Sequence, residues 1–117
     1  MSKVIAVTGG RHYKNRQLVY QTLDRLLPGH DTDAVIIHGG ATGADSLAAD
    51  WAHTRGVHTA VVDALWWKFD RSAGPIRNNI IAKLKPDILI AFPGGPGTGN
   101  MIRQAHEQGI MVERIEE

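Results

Sequence analysis

The sequence DILIAFPGGPGTGN, residues 87–100, joins a short apolar run to a segment that holds four glycines and two prolines. An apolar run of this length is typical of a buried β-strand, and glycine and proline directly after it mark a turn. Two interpretations of the glycine-rich segment follow. It is either a tight turn between a strand and a helix, or a loop whose glycines let backbone N–H groups approach a phosphate.

The rest of the chain repeats the pattern of an apolar run followed by a helical stripe. Apolar runs predict strands at 3–7, 34–38, 58–62, 87–92 and 110–115. Between them, apolar side chains at helical spacing predict helices at 15–27, which ends at PGH (28–30), at 44–55, around 76–84, and from 101 to Gly109. This alternation predicts one α/β domain over residues 1–117, a Rossmann-like, doubly wound parallel five-stranded sheet with helices on both faces.

Composition narrows the function classes. The 117 residues contain no cysteine and carry a formal net charge of +1. Disulfides, thiolate metal sites and a cysteine nucleophile are therefore excluded, and the basic excess of a duplex-DNA binder is missing. No signal pattern or membrane-length apolar run is present, so we expect a cytoplasmic protein with no membrane contact.

Three of the predicted strand-to-helix loops begin with, or nearly with, a Gly-Gly pair. In a parallel sheet these loops meet at one edge, where open α/β sheets bind ligands. Thr42, Ser46 and Thr98 add hydroxyl groups to the backbone donors. We therefore predict a phosphate-binding pocket there, and the loop residues assigned to it are Gly9, Gly10, Arg11, Gly39, Gly40, Thr42, Gly43, Gly94, Gly95, Gly97, Thr98 and Gly99.

Two common phosphate motifs are absent from these loops. GGATGADS and GGPGTGNM lack the Lys-Ser/Thr pair of a P-loop. VTGGRHY lacks the GxGxxG pattern of dinucleotide-binding Rossmann proteins, and we expect no cofactor.

Charged and aromatic side chains near these loops are the remaining candidates. Gly74 and Pro75 predict a helix start that places Arg77 in the first turn, where a cation is favourable only beside an anion. Asp45 lies in the first turn of the second helix, where it either stabilises the helix or faces a ligand. The six histidines show no metal-ligand spacing, so we expect no metal site. Of Trp66 and Trp67, one is a candidate for stacking on a base.

The motifs VTGGRHY, HGGATGADSLAADWA and AGPIRNNIIAKLKPDILIAFPGGPGTGNM, with a closing A-x-x-x-G-I-x-V strand, together resemble the SLOG superfamily. Within it the chain is similar to the small single-domain branch related to YspA, often labelled DUF2493. The resemblance implies strand order 3-2-1-4-5 and a pocket for nucleotides or nucleotide-derived ligands. Related branches include LOG phosphoribohydrolases, which are dimers, and the DNA-processing protein DprA, so we also expect a homo-oligomer.

The likeness to LOG proteins extends to single residues. Arg77 matches their arginine, and Pro93, Gly94, Gly95, Gly97 and Thr98 match their P-G-G-x-G-T loop. Their catalytic glutamate falls on Met101, which cannot handle a proton, and Asn78 stands where they tend to have lysine. If the chain is a hydrolase, we expect Asp45 to replace the missing acid, with Arg77 beside it in the catalytic site.

Three hypotheses remain. The first is a module that binds a nucleotide or another phosphoribosyl-containing small molecule, its phosphate on the Gly94–Gly99 loop, with Asn78 beside Arg77. The second is a hydrolase of the N-glycosidic bond of nucleoside 5′-monophosphates in the same pocket. The third, DprA-like binding of single-stranded DNA, is least favoured because no basic stripe or aromatic series is visible, and we do not expect nucleic acid as the partner.

Overall fold

The computed structural model describes residues 3–28 and 33–117. Five strands alternate with helices along the described chain, and a single 3-10 turn (Asp70–Ser72) joins the third and fourth helices. In chain order the elements are β1 (Val4–Thr8), α1 (Arg16–Leu26), β2 (Val35–His38), α2 (Ala44–Arg55), β3 (His58–Val61), α3 (Trp66–Phe69), α4 (Ala73–Lys83), β4 (Ile88–Ala91), α5 (Pro96–Glu107) and β5 (Met111–Arg114).

The strands form one parallel sheet in the order β3-β2-β1-β4-β5. Residue Ile5 of β1 lies opposite Ile36 of β2 on one side and Ile88 of β4 on the other. The predicted fold class and strand order are confirmed. Strands β2 and β3 are added on one side of β1, and β4 and β5 on the other side. The boundary between β1 and β4 is therefore the switch point, where such sheets bind ligands.

Two apolar cores cover the two faces of the sheet. Because successive strand residues point to opposite faces, Ile5 and Val7 of β1 pack with side chains of α1 and α2, whereas Ala6 packs with those of α4 and α5. Trp51 of α2 is fully buried in the first core. The continuous apolar runs of the central strands therefore reflect burial on both sides.

Several predicted boundaries are wrong by one residue, and three differences matter for the site. The segment Trp66–Phe69 is a short helix rather than loop, and the 3-10 turn leads it directly into α4. Helix α4 begins at Ala73, so Arg77 lies in its second turn and not in its first. Helix α5 begins at Pro96, so half of the predicted glycine loop is a helical first turn, with proline at a favoured position.

The predicted end of α1 at PGH includes Gly29 and His30, which lie outside the described residues. No helix within the described ranges is both long and apolar enough to span a bilayer.

Candidate functional site

A cleft of about 1350 Å³ lies at the carboxyl edge of the sheet. The loops after β1, β2 and β4, the first turns of α5, and the segment from Trp66 to Ile81 line it. Most of the predicted site residues line this cleft, namely Gly9, Gly10, Arg11, Gly39, Asp45, Arg77, Asn78, Gly94, Gly95, Gly97, Thr98 and Gly99.

Three predicted site residues, Gly40, Thr42 and Gly43, are not among those that line the cleft. The Thr42 hydroxyl donates to the Arg11 carbonyl oxygen at 3.0 Å. Gly43 has a φ of +78°, and a Cβ atom there would lie 2.1 Å from the Gly10 carbonyl oxygen. Thr42 and Gly43 therefore join the first and second loops to each other, whereas Gly40 faces Asp63 and Val61.

The glycines at the cleft divide into two groups. A Cβ atom on Gly94 would lie 2.7 Å from the Gly10 nitrogen, and the Gly10 N–H donates to the Pro93 carbonyl at 2.9 Å. A Cβ atom on Gly9 would likewise meet Ala44 at 2.5 Å. The absent side chains of this group let the loops pack against each other. Cβ atoms on the second group would meet nothing within 4 Å, and that group is Gly95, Gly97 and Gly99.

The second group surrounds the amino terminus of α5. Gly95 is the N-cap residue and supplies no side-chain cap, and the first turn contains no acidic residue. The first N–H groups of a helix have no partner within it, and the helix dipole makes this end electropositive. The start of α5 therefore offers backbone donors to the cleft without side chains in the way.

Arg77 approaches this region from α4. Its Nη1 donates to the Gly39 carbonyl oxygen at 2.8 Å, and its Nε donates to Asn78 Oδ1 at 2.9 Å. A Cβ atom on Gly39 would lie 1.9 Å from Arg77 Nη1, so that glycine makes room for the guanidinium. Burial lowers the pKa of Arg77, the charge of Asp45 raises it, and the charge of Arg11 lowers it. An arginine side chain nevertheless stays protonated in proteins.

Asn78 links Arg77 to the start of α5. Its side chain is buried, and its Nδ2 donates to Asn100 Oδ1 at 3.0 Å and to the Gly97 carbonyl oxygen at 3.3 Å. Together with the bond from Arg77, these contacts occupy both ends of the amide. Its placement is therefore that of a side chain that positions Arg77 against α5.

Among the described residues that line the cleft, Asp45 contributes the carboxylate. It is 6% exposed, and its Oδ2 accepts from the N–H groups of Gly39 at 3.0 Å and Ala41 at 3.2 Å. Burial raises the pKa of this carboxyl, although both N–H bonds and the charges of His38 and Arg77 oppose the shift. Asp45 therefore holds the loop after β2 in place.

His38 lies beside Asp45 at the end of β2 and is 5% exposed. Its Nδ1 accepts from the Gly40 N–H at 3.0 Å, while Nε2 has no partner within residues 3–28 and 33–117. Burial lowers the pKa of this imidazole. In the same part of the chain, no cluster of three His, Asp or Glu side chains could hold a metal ion.

Two arginines of the cleft were not predicted as site residues, namely Arg71 in the 3-10 turn and Arg103 in α5. With Arg11 and Arg77 they bring four guanidinium groups to one cleft, a local concentration that the net charge of +1 conceals. The spacing of Pro96, Asn100 and Arg103, which share one helix face, was an available signal for Arg103.

Of the two tryptophans considered for base stacking, the structure places one at the cleft and one outside it. Trp66 lines the cleft, is half-buried, and lies 5.6 Å from the guanidinium carbon of Arg11. Trp67 is 82% exposed and does not line the cleft. Met101, where LOG proteins have their glutamate, reaches the cleft wall but is buried in the second core.

The fold and the cleft define an α/β protein of the Rossmann-like type with an arginine-lined site at the switch point. A sequence profile of the YspA, cpYpsA-related SLOG family matches residues 3–69. The chain belongs to this family. It is also 33% identical over 115 residues to the gene 61 protein of Mycobacterium phage D29, with 92% of each chain covered.

Solved structures share the fold. DprA from Streptococcus pneumoniae superposes with a TM-score of 0.78 at 21% identity, over 98% of this chain and 50% of that one. DprA from Helicobacter pylori, described as having a single-stranded DNA binding mode, gives 0.76 at 19% identity, over 98% of this chain and 66% of that one. The structure of TM1055 superposes with a TM-score of 0.75 at 18% identity, over 94% of this chain and 72% of that one. The chain thus spans half of the pneumococcal DprA, and identities this low establish the fold alone.

Proposed function

We propose that the chain binds a nucleotide or nucleotide-derived small molecule in the cleft, with a phosphate at the start of α5. The observation that carries this proposal is the meeting of Arg77 with the unobstructed glycines of the α5 amino terminus in one cleft. Backbone N–H groups at a helix start, together with a guanidinium, suit a phosphate well because they combine directed donors with positive charge.

The remainder of the cleft suits the nucleoside. The half-buried Trp66 ring presents a surface on which a base stacks, and such stacking contributes about 1–3 kcal/mol. Arg11, which lies over this ring, would be displaced or would stack on the other side of the base. Trp66 therefore joins Arg77 and the α5 amides as a proposed ligand contact.

The geometry favours binding without hydrolysis. An oxocarbenium-like charge is stabilised by an ionised carboxylate beside the sugar. Asp45 is buried, which raises the pKa of its carboxyl, and its Oδ2 already accepts two backbone bonds that hold the loop after β2. Met101 supplies no acid. A phosphoribohydrolase would have to release Asp45 from its loop.

Single-stranded DNA is the second candidate ligand, because DprA proteins share the fold and the cleft combines four arginines with Trp66. Arginine-lined grooves with stacking aromatics are typical of single-strand binders. The local arginine cluster also removes the charge argument against nucleic acid. Arg77 and the open glycines at the start of α5, which together suit one phosphate, favour the small ligand.

Calorimetric titration with AMP, adenosine and inorganic phosphate tests the proposal. We expect AMP to bind, adenosine to bind at least about tenfold more weakly, and Arg77→Gln to remove the difference. Arg25→Gln, which changes an arginine paired with Glu113 outside the cleft, is the matched control. If no phosphorylated compound binds, the proposal is wrong.

Two further readouts separate the alternatives. Release of free base from AMP, abolished by Asp45→Asn, would establish the hydrolase. Tighter binding of oligo(dT) than of any mononucleotide, lost steeply as salt rises, would establish the single-strand binder. The homo-oligomer and the cytoplasmic location stay predictions, and light scattering tests the first.

A further inference from the structure

Three arginines surround the mouth of the cleft, outside the phosphate position proposed at α5. Arg11 comes from the loop after β1, Arg71 from the 3-10 turn, and Arg103 from α5. All three are exposed, and none forms an ion pair with a carboxylate among the described residues. Three elements that are distant in the sequence therefore direct unpaired cations to one opening.

Among the described residues, three of the four arginines outside the cleft form ion pairs, and Arg114 does not. Arg16 pairs with Asp50, Arg25 with Glu113 and Arg55 with Asp24. Among the described residues, the carboxylate that lines the cleft is that of the buried Asp45, which accepts from backbone N–H groups. The charge of Arg11 lowers the pKa of Arg77, so these two cations repel each other.

The position of Arg103 on α5 suits a second anionic group next to the phosphate proposed at the start of this helix. Arg103 follows Gly97 by six residues, which is about 9 Å along the helix axis. Side chains in a helix lean toward its amino terminus, so the Arg103 side chain extends back toward the α5 amides. Arg71 lines the same cleft from the 3-10 turn that precedes α4.

The size of the cleft agrees with a ligand larger than a mononucleotide. Its volume of about 1350 Å³ exceeds the ~300–1,000 Å³ typical of small-molecule sites. The space beyond Arg77 therefore has both room and charge for a further anionic group.

We propose that Arg71 and Arg103 form a second phosphate site, and that the ligand is a nucleoside diphosphate or a pyrophosphate-linked nucleotide. This inference rests on the proposed function, since it assumes a first phosphate at α5 and Arg77. Arg11 also lines this cleft, next to the proposed base position on Trp66.

Calorimetric titration of the full chain with AMP, ADP, ADP-ribose and the dinucleotide pApA tests this proposal. We expect ADP and ADP-ribose to bind at least about tenfold more tightly than AMP. In the Arg71→Gln, Arg103→Gln double variant this preference should shrink to about twofold, while AMP affinity changes less than about threefold. Lys83→Gln, which removes an exposed charge from α4 outside the cleft, should change neither value.

Each other outcome has a definite meaning. Equal binding of AMP and ADP to the wild type, or equal weakening of both in the double variant, would overturn the second site but leave the proposed function standing. Tighter binding of pApA than of ADP would mean that the site prefers a phosphodiester to a pyrophosphate, and the proposed ligand class would be wrong. Failure of every phosphorylated compound to bind would overturn the proposed function as well. Both arginines are exposed, so thermal unfolding is expected to show intact variants.

Discussion

Arg77 Nη1 donates to the Gly39 carbonyl oxygen at 2.8 Å, and a Cβ atom on Gly39 would lie 1.9 Å from that same nitrogen. The first residue of the loop after β2 and the second turn of α4 are thus fitted to each other through one guanidinium. The contact fixes where the charge of Arg77 lies in the cleft. It also explains why glycine directly follows His38.

Gly39→Ala tests this relationship. The added methyl group displaces the end of a flexible side chain rather than backbone, so we expect a loss of about 1 kcal/mol in the free energy of unfolding. AMP affinity should fall about tenfold because the guanidinium moves. Calorimetry on Gly39→Ala, Arg77→Gln and the double variant measures both effects. If the two losses in affinity simply add, the glycine does not act through Arg77.

The two groups of glycines predict opposite effects of alanine. Gly97→Ala adds a methyl group to open space in the first turn of α5, and we expect the free energy of unfolding to rise by up to about 1 kcal/mol. The methyl group also covers the backbone donors, so phosphate affinity should fall. Gly43→Ala combines a positive φ with a clash at Gly10, and we expect a loss of about 2 kcal/mol or more. Equal AMP affinity in wild type and Gly97→Ala would contradict the phosphate position.

Asp45 predicts a difference between two substitutions. Asp45→Ala leaves the N–H groups of Gly39 and Ala41 without their acceptor and should cost about 2 kcal/mol or more. Asp45→Asn keeps an acceptor oxygen and removes a buried charge, so its stability at pH 7 should match or exceed that of the wild type. Denaturant unfolding measures both variants.

The pH dependence of that comparison follows from the raised pKa of Asp45. A carboxyl with a raised folded-state pKa contributes most stability below about pH 3.8, and that contribution is lost as the pH rises through its folded value. The wild type should therefore lose stability relative to Asp45→Asn as the pH rises from about 3.8 through that folded value. A constant difference across this range would mean that the Asp45 pKa is unshifted.

His38 predicts a loss of stability on mild acidification. Because burial lowers its pKa, the unfolded chain takes up a proton near pH 6.5 while the folded chain does not. Stability should fall as the pH drops below about 6.5 and on through the lowered folded value. His38→Asn, whose amide oxygen can still accept from the Gly40 N–H, should show a shallower dependence in the range pH 5–8. Parallel curves for the two proteins would contradict the assignment.

The sequence predicted the sheet and its polar edge well because both depend on local patterns. Alternating strands and helices and the Gly-Gly pairs after the strands are visible without coordinates, whereas strand order came from the family resemblance. The start of α5 at Pro96 was missed because its glycine-rich first turn has no apolar stripe. The short helix Trp66–Phe69 was missed because its four residues are too few to form an apolar stripe.

The composition of the site depended on contacts that the sequence does not show. Gly9 and Gly94 have the same local signature as Gly97, yet they pack loops together while Gly97 faces open space. Arg71 and Arg103 are 32 positions apart, and both line the cleft because the 3-10 turn leads into α4, which packs beside α5 over one face of the sheet. Long-range packing therefore decided which of the predicted residues are free to contact a ligand.

A phosphate bound at the start of α5 would contact the N–H groups of Gly97 and Thr98, whereas the Gly99 N–H already donates to the Gly95 carbonyl at 3.1 Å. The amide chemical shifts of Gly97 and Thr98 can be followed by NMR while AMP, inorganic phosphate or adenosine is added. We expect AMP and inorganic phosphate to move both amide signals and adenosine to leave them in place. Unchanged signals at saturating AMP, or equal changes with adenosine, would contradict this phosphate position.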